Sequence, residues 1–161
     1  MQRYYDTYKL DKLFHQLREA NGEKEIAEIE TVIWSVWMDA GSQTINAKME
    51  EGMVFMDDED YHEAIKVFKE MEKRWVTYSE VWNKKATAYY LNGEFNNSLI
   101  NIEKTLAIEP RHFGALSGKA TIYREIGYDK GVVKTLKQMQ QLMPGKVMLN
   151  KQIEELVSKL R

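Results

Sequence analysis

Apolar residues recur along this chain at the three- and four-residue steps of amphipathic helices. Leu10, Leu13, Phe14 and Leu17 fall on one helical face, and Asn21-Gly22 reads as the stop after it. Ile26, Ile29, Ile33, Val36 and Trp37 mark a second helix, ended by Gly41. At the far end, Leu149, Ile153, Leu156 and Leu160 line one face of a last helix, and Lys151, Glu154, Glu155, Lys159 and Arg161 give it a polar outer side. Only two prolines occur, Pro110 and Pro144, so helices can run through most of the chain without interruption.

Between these flanks the pattern repeats. A shift of 34 residues lays Lys85-Ala86-Thr87 over Lys119-Ala120-Thr121, Tyr89 over Tyr123, Gly93 over Gly127 and Pro110 over Pro144. The shift predicts helix–turn–helix units. Small residues at Gly52, Ala86 and Ala120 let paired helices approach closely, and Phe55, Tyr89 and Tyr123 fill the gap between neighbouring units. Asn92-Gly93 and Gly127 permit a positive φ in the turn inside each pair. Each proline stops a second helix and opens the next unit.

These residues resemble the tetratricopeptide-repeat pattern, Trp-x2-Leu-Gly-x2-Tyr, then Ala-x3-Phe, then Pro. Trp82, Ala86, Tyr89, Ser98, Ile102 and Pro110 stand in its slots in the middle unit. Leu116, Ala120, Tyr123, Val132, Leu136 and Pro144 do so in the last. The first unit keeps Gly52, Phe55, Ala64 and Phe68 but has Lys48 and Val76 at the Trp and Pro slots, and all three units replace the leucine, with Glu51, Lys85 and Lys119. The resemblance covers about residues 45–146. It implies an all-α fold, a right-handed superhelical solenoid of antiparallel helix hairpins. Residues 1–161 are then expected to form one domain. A hairpin at 5–41 precedes repeats at 45–78, 79–112 and 113–146, and a capping helix follows at 147–161. The hairpin is expected to pack on the first repeat. Ile33-Trp34-Ser35-Val36-Trp37 and Glu109-Pro110-Arg111-His112-Phe113 extend the likeness to small bacterial repeat proteins common in alphaproteobacteria. Many of those carry an export signal, which leaves cytoplasm and periplasm both open.

Composition narrows the function. Lysine and arginine number 23 against 25 acidic residues, a net charge of −2, which disfavours nucleic-acid binding through bulk charge and a polybasic membrane surface. Cysteine is absent, which removes disulfides, thiolate catalysis and cysteine metal sites. No apolar run approaches the roughly 20 residues that span a bilayer, so membrane insertion is not expected. The first residues, Met1-Gln-Arg-Tyr-Tyr-Asp, lack a signal peptide's apolar stretch.

In solenoids of this family the first helix of each repeat lines the concave surface. That implies a partner-binding set of Asn83, Thr87, Tyr90, Ser117, Thr121, Arg124 and Met53. An extended peptide or a single helix of another protein fits such a groove. The family's clamp for chaperone C-terminal tails needs lysine, asparagine and arginine at set places, where this chain has Met49, Met53, Gly114 and Gly118. Met49, Met53 and Met56 form a helical stripe that reads two ways, as an adaptable contact surface or as packing beneath the N-terminal helices. Gly114, Ser117 and Gly118 invite close approach by a partner backbone or by a neighbouring repeat. Arg124 suits a partner carboxylate, or a glutamate of its own surface.

Catalytic readings find little footing. His62-Glu63-Ala64-Ile65-Lys66 begins like a zinc-protease helix but lacks the second histidine. His15, His62 and His112 fall in separate units. His112 follows Pro110-Arg111 at a helix start, where capping or surface contact is expected. Asp57-Asp58-Glu59-Asp60 lacks calcium-loop spacing and reads as a turn that caps the next helix. No cofactor or metal is expected, and no enzyme. The expected function is a protein-interaction module. Its alternative is a self-assembling scaffold or an accessory subunit of a cell-envelope complex, with another copy of the chain as partner.

Overall fold

A computed structural model describes residues 6–161. Tyr5, where the N-terminal hairpin is expected to begin, lies outside them. The described residues hold nine α-helices and no strand. They are α1 (Thr7–Glu19), α2 (Glu23–Met38), α3 (Gln43–Asp57), α4 (Tyr61–Arg74), α5 (Ser79–Leu91), α6 (Phe95–Ile108), α7 (Phe113–Glu125), α8 (Asp129–Leu142) and α9 (Val147–Lys159). The all-helical expectation holds. Helices α3 to α8 follow the 34-residue period as three successive pairs.

The turns obey the chemistry read from the sequence. Gly93 has φ 79° and Gly127 φ 72°, the left-handed values that end α5 and α7. The equivalent turn after α3 takes φ 60° at Glu59, a non-glycine residue 34 positions before Gly93. Asp60 follows it as N-cap of α4, its carboxylate accepting from the Glu63 amide at 3.3 Å.

The chain divides into two compact units. One is Trp37–Ala115; the other joins Asp6–Val36 to Leu116–Arg161. In the first unit α4 packs on both α3 and α5, and α6 on α5. Its core gathers Ile45, Met49, Ala64, Phe68, Met71, Tyr78, Val81 and Tyr89. Burying such side chains contributes roughly 1.5–3 kcal/mol each before chain entropy is set against it. The close approach at Gly52 is real, because a Cβ there would run into the Phe68 ring. Of the methionine stripe, Met49 is in the core, and Met53 and Met56 pack half-buried against it.

Lys85 shows what happens at the expected leucine slot. Its stem is buried and its ammonium meets the Glu72 carboxylate and lies 4.5 Å over the Trp82 ring. Burial first, then the nearby Lys69 and Lys104 charges, push its pKa down to about 8 despite that partner.

In the second unit α8 packs on α9 and on α1. Lys146 pairs with Glu30 at 2.7 Å, and the Met148 amide donates to Glu23 at 2.9 Å. Leu10, Leu17, Ile26, Ile33, Val132, Leu136, Leu149 and Ile153 are buried. The polar residues expected on the outside of α9, from Lys151 to Arg161, are exposed.

Candidate partner-binding surface

The seven expected contact residues fall into two groups, one in each unit. In the first unit, Asn83 is buried and its amide donates to Glu80 at 3.3 Å. Thr87 is exposed on α5, its hydroxyl donating to the Asn83 carbonyl at 3.1 Å. Tyr90 is half-buried, stacked 5.6 Å from Phe95. Met53 is half-buried against the core.

In the second unit, Ser117, Thr121 and Arg124 lie on successive turns of α7 and converge on one pocket of about 240 Å³. Spacings of four and three residues put all three on one face of the helix. Thr121 donates its hydroxyl to the Ser117 carbonyl at 3.0 Å, a bond that holds its side chain along the helix. Leu136 and Met139 of α8 and Met148, Leu149 and Gln152 of α9 complete the lining, with Lys146 at the turn between the two helices. The Arg124 guanidinium is exposed and makes no ion pair with the described residues, whereas Lys146 is engaged by Glu30.

Sequence reasoning missed the strongest polar network. Glu80, at the start of α5, and His112, just before α7, are fully buried and hydrogen-bonded to each other. The Ala115 amide donates to His112 Nδ1 at 3.0 Å, which leaves the ring proton on Nε2, facing Glu80. The expected capping role is thus filled, but from inside the core and not at the surface. Trp37 stacks on the His112 ring at 4.1 Å with 8° between planes. Burial pushes the Glu80 carboxyl up. The His112 ring, then Lys84 and the Asn83 amide, outweigh that and hold it below the usual carboxylate range. Tyr78, the residue 34 positions before His112, donates its hydroxyl to the Trp37 carbonyl at 2.9 Å. The signal was therefore present. Two buried aromatics occupy equivalent places before successive first helices, and both meet the same tryptophan.

Among the described residues no group of three His, Cys, Asp or Glu could hold a metal. No helix among them is long and apolar enough to cross a membrane.

No family model matches the chain. A TPR repeat-containing protein of Rhizobium etli is 33% identical over 152 residues, 94% of this chain and 74% of that protein. Two solved structures share the fold. The first TPR of Spaghetti (RPAP3), bound to the HSP90 peptide SRMEEVD, superposes with a TM-score of 0.65 at 16% identity, over 74% of this chain and 94% of that one. The first TPR domain of human RPAP3 gives 0.63 at 15% identity, over 72% and 91%. The 34-residue period, the glycine-turned helix pairs and the close relative in Rhizobium etli together make this chain a member of the tetratricopeptide-repeat family.

Proposed function

We propose that the chain binds a peptide segment or a single helix of a partner protein on the first-helix faces of its repeats. The observation that carries this is the convergence of Ser117, Thr121 and Arg124 on an open pocket. Core packing needs none of these three groups, and each presents a polar group to whatever enters. The Spaghetti domain, which shares the fold, is itself bound to a peptide, the HSP90 segment SRMEEVD. The charge pattern for a chaperone tail does not carry over, since Met49, Met53, Gly114 and Gly118 stand where its cations and amide would be. The reading is of binding without catalysis. The Glu80–His112 couple, the nearest thing to an acid–base pair, is sealed from solvent. On the apolar face of α9, which bears on the scaffold alternative, Leu149 and Ile153 are buried, Leu156 is half-buried and Leu160 is exposed.

The test is site-specific photo-crosslinking. Benzophenone side chains are placed singly at Thr87, Ser117 and Thr121, and as controls at the exposed Glu103 of α6 and Lys137 of α8. Adducts with the same partner from the first-helix positions, and none from the controls, are expected. Equal yields from both sets would rule out binding on this face.

A further inference from the structure

The pocket in the second unit has a chemistry more specific than a general groove. Its floor is apolar: Ala120, Leu136 and Leu149 are all buried there. Its rim carries Ser117, Arg124 and Gln152. None of these three side chains is hydrogen-bonded or ion-paired to the described residues. The remaining cation, Lys146, already has Glu30 at 2.7 Å. The rim thus offers one uncommitted positive fork, one hydroxyl and one amide above an apolar floor. At about 240 Å³ the pocket falls short of the roughly 300–1,000 Å³ of sites for drug-sized molecules and cofactors. It is the size for one large side chain.

We propose that this pocket takes a single apolar side chain of an acidic partner segment, such as leucine, isoleucine or methionine, with a neighbouring aspartate or glutamate of that segment paired to Arg124. The inference rests on the peptide-binding reading above and specifies what that peptide must be. Three considerations support it. Arg124 holds carboxylates bidentately, and its exposed charge has no glutamate of its own to satisfy. The apolar floor gives the burial that a charge pair at a wet rim does not supply by itself. Ser117 and Gln152 provide one hydroxyl and one amide at hydrogen-bonding height for the segment's main chain. A basic segment would set its charge against Arg124 and Lys146, and a purely polar one would leave the floor dry and unfilled.

The experiment selects twelve-residue peptides from a random phage-displayed library against the full chain, then measures synthetic fluorescent copies by anisotropy. Enriched peptides are expected to pair an acidic residue with a large aliphatic one. Arg124→Ala should weaken them about tenfold, the range of one charge-assisted hydrogen-bonded contact. Ser117→Phe, which fills the pocket from an exposed position, should do the same. Lys137→Ala on the outside of α8 should leave affinity unchanged. Added salt should weaken wild type more than Arg124→Ala. Circular dichroism melts matching wild type keep the two rim variants interpretable. Peptides that bind but ignore both rim variants, or that are enriched in basic residues, would overturn this pocket's assignment and leave peptide binding standing. No enrichment at all would overturn both. A concentration-dependent dimer, seen by sedimentation and lost in Arg124→Glu, would give the pocket to a second copy of the chain and overturn the proposal as well.

Discussion

Residue by residue, the largest electrostatic commitment in the first unit is Glu80 with His112. A carboxylate with no solvent exposure persists only because the His112 Nε2–H and the Asn83 amide replace the water it has lost. Its folded pKa lies below the ordinary carboxylate value of 4.5. A depressed carboxylate contributes stability that is complete above that ordinary value and is lost as pH falls through the folded one. Glu80→Gln keeps a hydrogen-bond acceptor for His112 and should cost about 1–3 kcal/mol at pH 7, while Glu80→Ala, which orphans a buried donor, should cost about 3–5 kcal/mol. Urea unfolding at pH 7 and pH 3.5 checks this. The gap between wild type and Glu80→Gln should narrow at the lower pH, and a gap that stays constant would refute the account. The sequence placed His112 at a helix start, but the one sign of its burial was Tyr78 at the equivalent place 34 positions earlier, since its partner stands 32 positions away and neither Glu80 nor His112 belongs to the repeat's usual slots. Asn83 shows the same blind spot. A first-helix asparagine reads as a contact residue until Glu80 is seen to take its amide.

Helices and turns were the most legible scale. The positive φ at Gly93 and Gly127 follows from glycine after a run of helix formers, and the two prolines fall just past α6 and α8 as their chemistry requires. The first turn was harder to read, since Glu59 supplies by context the conformation that glycine supplies elsewhere. A close approach between turns is not legible at all, because no local pattern reports what lies across from a residue. Gly145 is the instance. It joins α8 to α9, and a Cβ there would press into the carbonyl oxygen of Ala20, in the turn from α1 to α2. Backbone cannot swing aside as a side-chain tip can, so Gly145→Ala should destabilise the protein by about 1–3 kcal/mol, as overpacking does. The readout is the urea midpoint with an unchanged slope. A loss under about 0.5 kcal/mol, typical of a neutral surface change, would mean that the two turns part easily.

Across the whole molecule, periodicity identified the three helix pairs but not the partition of the chain. A repeat pattern treats both ends as caps on a single stack. The structure instead gathers Asp6–Val36 and Leu116–Arg161 into one unit, through contacts such as Glu30 with Lys146 that lie more than a hundred residues apart. Such pairs leave no trace in a window of seven or thirty-four residues. Trp37–Ala115, by contrast, is continuous in sequence and carries its own buried cluster, from Ile45 to Tyr89, along with the Trp37, Tyr78, Glu80 and His112 network. Repeat arrays draw their stability from nearest-neighbour interfaces, and α3 to α6 keep theirs within this segment. A chain of residues 37–115 should therefore fold by itself, with helical circular dichroism and a cooperative urea transition. Residues 116–161 alone should not, because the buried partners of α8 include α1, which that fragment lacks. Should 37–115 unfold without a sigmoidal transition, its core would depend on the rest of the chain, and the cluster seen here would be only part of the folding unit.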